Sequence, residues 1–96
     1  MKIKWEAYDP DWLVKIALEQ IPIETEVINS IRKCRKGFWE SRAYVYFVNP
    51  ENANEPNAEW QFGQNLILKD KKKGEIVLDI LKDNRLGGIE FKKYVK

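Results

Sequence analysis

The chain has 96 residues, of which 44% are hydrophobic, and its 17 basic and 15 acidic residues give a formal net charge of +2. This length fits one domain spanning residues 1–96, and so balanced a charge does not by itself indicate a nucleic-acid partner. A single cysteine excludes an internal disulfide, and no apolar run approaches the ~18 residues of a membrane span. We therefore expect a cytoplasmic protein with no membrane partner.

The N-terminus predicts a strand and then a helix. Lys2–Tyr8 alternates, and places Ile3, Trp5 and Ala7 on the side expected to be buried. Asp9-Pro10 is typical of a helix start, with the aspartate as N-cap, and the helix is predicted to run to about residue 20 before Pro22.

A second helix is predicted over Glu24–Lys36. Apolar residues recur there at helical spacing, and Gly37 is placed to close the helix. A strand is the alternative, because several of these residues are β-branched, but they do not alternate. The residues of the apolar stripe are Val27, Ile28, Ile31 and Cys34.

Arg42–Val48 predicts a strand that is apolar on both faces, which indicates a central position in a sheet. Asn49–Glu59 has no large apolar residue and predicts an exposed loop. Trp60 and Phe62 return the chain to the sheet, and Gly63 marks a bulge or turn.

The C-terminal third predicts a three-stranded antiparallel meander made of Asn65–Lys69, Glu75–Leu81 and Leu86–Phe91. Pairing residue 69 with 75, and residue 82 with 85, gathers most of the apolar side chains on one face. A helix over 75–84 is the alternative, but the agreement of two hairpin registers favours strands. The apolar face comprises Leu66, Leu68, Ile76, Leu78, Ile80, Ile89 and Phe91.

The predicted order is β-α-α-β-β-β-β. We expect an α+β domain with a mostly antiparallel sheet of about five strands and both helices packed on its apolar face. The alternative is that the helices straddle the sheet.

The other face of the meander keeps apolar side chains that no predicted element covers. In the predicted register Ile67 lies opposite Val77, and Leu81 lies opposite Leu86, while Gly88 leaves bare backbone beside Asp79. An apolar patch of this kind commonly marks a partner site, so we predict a homodimer through this face or the adjacent sheet edge. The interface candidates are Ile67, Val77, Leu81, Leu86, Tyr44 and Tyr46.

No residue pattern indicates catalysis. Histidine is absent, and Cys34 lies on the buried stripe of its helix although basic residues surround it, so we expect a structural thiol. Asp79 and Glu90 share one sheet surface and could form an acid/base or metal pair, but solvated strand charges explain them better. Gly87-Gly88 lies at the start of a predicted strand, not before a helix, and lacks the spacing of a phosphate-binding loop; we expect Gly87 to make room for an aromatic ring from a helix. No catalytic residue, cofactor or metal is predicted.

Two rival functions rest on other residues. The basic clusters Arg32, Lys33, Arg35, Lys36 and Lys71, Lys72, Lys73, the second preceded by Lys69, are the candidates for a nucleic-acid surface, although helix termini and turns also attract such charges. A pocket between the sheet and the first helix, lined by Trp5, Trp12 and Tyr44, would indicate a small-ligand protein or an enzyme.

The run from Gly74 to Phe91, which reads GEIVLDILKDNRLGGIEF, resembles the hairpin of a family of small bacterial domains of unknown function. Their signature is I-V-x-D-x-x-x-D-G-R-x-x-G-I-E, and Asn84 stands where that family usually has glycine. The resemblance covers about a fifth of the chain and implies two antiparallel strands; it implies no activity. The general build, a small aromatic sheet protein, is also similar to bacterial toxin-immunity proteins.

The leading hypothesis is a non-enzymatic protein that acts through protein–protein contact, has an immunity- or antitoxin-like role, and self-associates.

Overall fold

The computed structural model describes residues 3–95, and within them two helices pack on one antiparallel sheet. In chain order the elements are β1 Glu6–Ala7, α1 Asp11–Gln20, α2 Thr25–Arg32, β2 Lys36–Ser41, β3 Tyr44–Tyr46, β4 Phe62–Asp70, β5 Gly74–Leu81, β6 Leu86–Phe91 and a 3-10 turn at Lys92–Tyr94.

The strand order across the sheet is β1-β2-β3-β6-β5-β4, and every neighbouring pair is antiparallel. The predicted α+β class is confirmed, with six strands instead of about five. The aromatic strand β3 lies inside the sheet between β2 and β6, as its two apolar faces predicted.

Both helices lie on the same side of the sheet, which we call the helix face. Leu13 and Ala17 from α1 and Ile31 from α2 are fully buried in one cluster with side chains from β3, β4, β5 and β6. The sheet contributes Val45, Leu68, Ile76, Leu78, Ile80, Leu86, Ile89 and Phe91 to that core. The arrangement in which the helices straddle the sheet is therefore wrong.

Residues 33–41 differ most from the predicted elements. The second helix ends at Arg32, not at Lys36, and the next segment is the unpredicted strand β2. Gly37 does not close the helix: it pairs with Glu6 in the sheet, where a Cβ atom would lie 2.8 Å from Cγ2 of Val45. The close approach of β3 explains the glycine.

The N-terminal strand is shorter and more exposed than predicted. Only Glu6–Ala7 pairs with β2, and both residues are exposed, as is Trp5, while Lys2 lies outside the described residues. Tyr8, which alternation puts on the side opposite Trp5 and Ala7, packs against the core beside Phe47, with ring centroids 4.9 Å apart.

The meander is confirmed over most of its length. Lys69 pairs with Glu75, Ile67 with Val77, and Asp79 with Gly88, as predicted, and the helix alternative for 75–84 is wrong. The predicted bulge near Gly63 is also present, between Phe62 and Gln64.

The register changes at Gly87, where β6 carries one extra residue. Ile80 pairs with Leu86, and the Leu81 amide donates to the carbonyl of Arg85, so the predicted pairing of Leu81 with Leu86 is wrong. The bulge turns Leu86 onto the helix face, whereas Leu81 stays on the other side with Trp60.

None of the helices in residues 3–95 is both long and apolar enough to span a membrane.

Candidate functional site

The sheet face that points away from both helices carries the strongest candidate site. We call the cluster formed by Tyr44, Tyr46, Ile67, Val77, Asp79 and Glu90 the open face. Ile67 is 56% exposed, and the other five side chains are half-buried. Since the helices cover the opposite side, the open face presents apolar, aromatic and acidic groups together to solvent.

A hydrogen bond between Tyr44 and Asp79 links strands β3 and β5 across β6. The tyrosine hydroxyl donates to Oδ2 of the aspartate. The phenol reaches that far because it lies flat over Gly88, where a Cβ atom would be 2.8 Å from Cε1 of Tyr44. The missing side chain at residue 88 therefore creates the contact.

The electrostatics of this pair follow from its partial burial. Burial raises the pKa of Asp79, the hydrogen bond from Tyr44 lowers it, and the charge of Glu90 raises it again, with a net upward shift. Burial and the bond to Asp79 raise the pKa of Tyr44, so the phenol stays protonated and acts as the donor. The face thus holds a carboxylate whose charged form is partly desolvated.

Aromatic rings continue from this pair toward one end of the sheet. The ring centroids of Tyr44 and Tyr46 are 4.5 Å apart, and Tyr46 also contacts Phe38 at 6.0 Å and Trp60 at 5.7 Å. The Tyr46 hydroxyl donates to Oε2 of Glu40 at 2.8 Å. Burial, followed by this bond, raises the pKa of Tyr46 to about 12. The rings are held in place before any partner binds.

Trp60 closes that end of the open face. It is 7% exposed and forms a small second core with Val48 and Leu81. Gly87 makes room for it, because a Cβ atom there would lie 2.8 Å from Cη2 of the indole. Gly87 therefore accommodates an aromatic ring, as predicted. The predicted source of the ring, a helix, is wrong, because Trp60 belongs to the loop that precedes β4.

Four of the six predicted interface residues come together, and two do not. Tyr44, Tyr46, Ile67 and Val77 all lie on the open face. Leu81 and Leu86 are 2% and 1% exposed, so neither can contribute to an exposed patch. Trp60 covers the first, and the bulge at residue 87 turns the second into the main core.

The three predicted pocket residues do not meet. Trp5 is 40% exposed near the N-terminus. Trp12 packs on the helix side against Phe91, with ring centroids 5.9 Å apart, while Tyr44 lies on the opposite face of the sheet. The prediction of one pocket lined by all three is wrong, because β3 turns its tyrosines away from the helices.

The two basic clusters line separate grooves. Lys33, Arg35 and Lys36 line one groove together with Arg85, which was not among the predicted basic residues. Arg32 is exposed at the end of α2. Arg35 is partly neutralised by Asp9 at 3.7 Å and Asp11 at 3.3 Å. The other groove lies beside α1 and is lined by Trp12, Lys15, Lys69, Lys71, Lys72 and Lys73, together with Glu19 and Asp70.

Cys34 lies in the main core, as predicted. Its thiol donates to the carbonyl oxygen of Ser30 at 3.3 Å, and burial raises its pKa to about 12. A thiol that holds its proton this tightly is a poor nucleophile, so its role is packing.

Comparison of the chain with models of known protein families, with curated proteins and with solved structures found no significant match. The two antiparallel strands that the hairpin resemblance implies are present as β5 and β6.

Sequence reasoning missed Glu40, Phe38 and Trp60 as parts of this face. One signal was available for Trp60 and Tyr44: two adjacent glycines inside a strand mark places where a bulky group approaches the backbone. The identity of the ring that lies over each glycine depends on the order of the strands in the sheet, and the spacing of residues in the sequence does not give that order.

Proposed function

We propose that this protein is a non-enzymatic binding protein whose open face contacts another protein. One observation carries the proposal: the apolar side chains Ile67 and Val77 lie beside tyrosines on a sheet face that neither helix covers. Tyrosines held in fixed positions beside exposed apolar groups are typical of protein interfaces, because they give contact area at a low entropic cost.

The charges of the face define the kind of partner. Glu40, Asp79 and Glu90 all project from this side. The charge of Glu90 is partly compensated by Lys92, whose Nζ lies 3.7 Å from Oε1 of the glutamate, and the lysine side chain is exposed. A partner with a mixed cationic and apolar surface would compensate the desolvated carboxylate. An immunity- or antitoxin-like role, in which a small protein blocks a basic partner, is the concrete form of this function.

Self-association is the second part of the proposal. A 96-residue chain buries only about 60–65% of its unfolded surface, so a homodimer would add stability. Two surfaces are available for it, the open face and the sheet edge next to that face.

Val77→Lys tests partner binding. Val77 is half-buried, and neither helix covers it. The variant should therefore fold, with a circular dichroism spectrum like that of the wild type. Proteins retained by the tagged wild type should be lost by Val77→Lys, and a purified partner should bind the variant at least about tenfold more weakly, because a lysine at the centre must be desolvated.

Glu19→Lys is the matched control, since it also introduces a lysine but at an exposed position of α1. It should retain the same partner. A partner that binds Val77→Lys as tightly as the wild type would place the binding surface elsewhere.

A nucleic-acid surface remains the second candidate. The observation in its favour is that Trp12 and a run of lysines line one groove, where Nζ of Lys73 lies 4.8 Å from the indole centroid. An aromatic ring beside cations is a combination that single strands use for stacking.

A further inference from the structure

Strand β4 is the long exposed edge of the sheet. It runs over nine residues at the end of the strand order, whereas the opposite edge, β1, has only two. A long edge with free backbone groups offers a template for another strand unless charges, bulges or a cover protect it. The seven residues from Phe62 to Leu68 carry no charge.

The side chain of Gln20 shows which backbone groups of β4 point outward. Its amide nitrogen donates to the carbonyl oxygen of Lys69 at 2.6 Å, and the Lys69 amide donates to its Oε1 at 2.9 Å. A peptide group of a neighbouring strand would make the same two bonds. Gln20 therefore takes the place of a seventh strand at this one position.

The rest of the edge follows from strand geometry. In an antiparallel ladder, alternate residues direct their N–H and C=O groups to opposite sides. Since Lys69 points outward, Ile67 and Asn65 do too. Within residues 3–95, Gln20 is the one hydrogen-bond partner of the outward backbone groups between Asn65 and Lys69, whereas the inward groups bond β5. Farther along, the Phe62 amide donates to the side chain of Asn54 at 2.8 Å. The open part of the edge is limited to residues 65 and 67.

We infer that this edge is the self-association surface, where β4 of a second copy pairs antiparallel with it and Asn65 lies opposite Ile67 of that copy. The inference rests on the self-association proposed above and names its surface. In this register the two-fold axis passes at Leu66. The outward N–H and C=O groups of Asn65 and Ile67 in each copy then bond to the other copy, and Gln20 keeps its bonds to Lys69.

The chemistry of the strand fits a second copy. The two Leu66 side chains meet across the axis on the helix side, and Ile67 lies beside Asn65 on the open side, so no charges oppose each other. The alternative dimer, in which two open faces meet, would bring Asp79 and Glu90 of one copy toward the same acids of the other. Like charges in a desolvated interface are unfavourable, so the edge is the better surface.

The test uses the sedimentation mass of the full chain over a range of protein concentration. Ile67→Pro removes an outward amide, which does not bond β5, and by symmetry it removes two hydrogen bonds from the dimer. We expect the dimer to weaken by roughly 10- to 100-fold. Asn65→Pro at the other open, exposed position is the second variant, since it removes the second outward amide and leaves the apolar side chains of the open face unchanged.

Val77→Lys is the control, and it should remain dimeric because it changes only the open face. Amide hydrogen exchange gives a second readout: the Ile67 amide should exchange faster on dilution, whereas the inward Leu68 amide should not. A dimer that survives both proline variants but dissociates with Val77→Lys would show that the copies associate through the open face and not through the edge. A wild type that stays monomeric at high concentration would overturn self-association itself, and would leave the proposed partner binding to be judged by its own experiment.

Discussion

At the scale of single residues, Asp79 is the side chain whose environment opposes its charge. Its pKa is raised above the ordinary value of 3.8, chiefly by burial. The folded state therefore holds the proton more tightly than the unfolded state does. The resulting stabilisation is complete below the ordinary pKa and is lost as the pH rises through the folded pKa, so the ionised carboxylate destabilises the fold at neutral pH.

Asp79→Asn should stabilise the protein at neutral pH. The asparagine carbonyl oxygen can still accept the bond from Tyr44, but no charge is desolvated. The gain in the free energy of unfolding relative to wild type should increase as the pH rises above the ordinary pKa of 3.8, and denaturant unfolding near pH 4 and at neutral pH measures it. Glu19→Gln controls for the change in net charge. A gain that shrinks as the pH rises would contradict the assignment of burial as the dominant cause.

At the scale of elements, strand β6 is built to receive rings. Gly87 and Gly88 are adjacent and lie under Trp60 and Tyr44, respectively, and both would place a Cβ atom within 2.8 Å of a ring carbon. The bulge between them and β5 also separates Leu86, which enters the main core, from Leu81, which enters the second one. One short strand thus determines the packing on both faces of the sheet.

Gly88→Ala should destabilise the fold by about 1–3 kcal/mol, because the new methyl group displaces the phenol of Tyr44. The same substitution in a Tyr44→Ala background should cost much less, since the ring is gone. A double-mutant cycle by denaturant unfolding measures this coupling. Equal costs in both backgrounds would show that the glycine is required for backbone reasons and not for the ring.

At the scale of the whole molecule, the charged groups form several separate surfaces. Asp79, Glu90 and Glu40 lie on or beside the open face, whereas the basic clusters line two separate grooves beside the helices, one of which also holds Glu19 and Asp70. The formal net charge of +2 does not record this arrangement, so composition alone did not define a partner. A cationic partner would meet the open face, and an anionic one would meet the grooves.

We expect no retardation of a random single strand or of a random duplex in a gel-shift assay at low salt, because the basic clusters do not form one surface. Binding that falls linearly on a log–log salt plot would support the nucleic-acid candidate. Lys72→Glu should then flatten the slope, while Lys82→Glu, an exposed lysine outside both clusters, should leave it unchanged. Comparison of the two variants distinguishes binding at the lysine cluster from nonspecific electrostatic attraction of the nucleic acid to the whole protein.

The amino-acid sequence by itself determined the meander, the first helix, the exposed loop before Trp60 and the burial of Cys34. Period-two alternation and a hairpin register that places opposite charges across from each other are local signals, so Lys69 and Glu75 could be aligned without knowing the rest of the fold. The same alternation placed Ile67 and Val77 together on the face away from the core.

Only the tertiary structure decided the strand order, strand β2 and the position of each ring. Gly37 looks like a helix end until Val45 is packed against it, and Leu86 looks exposed until the bulge at Gly87 turns it inward. The contact of Gln20 with Lys69 joins residues 49 positions apart. Such contacts depend on which helices and strands become neighbours. The choice of neighbours follows from burying all the apolar side chains of the chain together, and the local spacing of apolar residues does not contain that information.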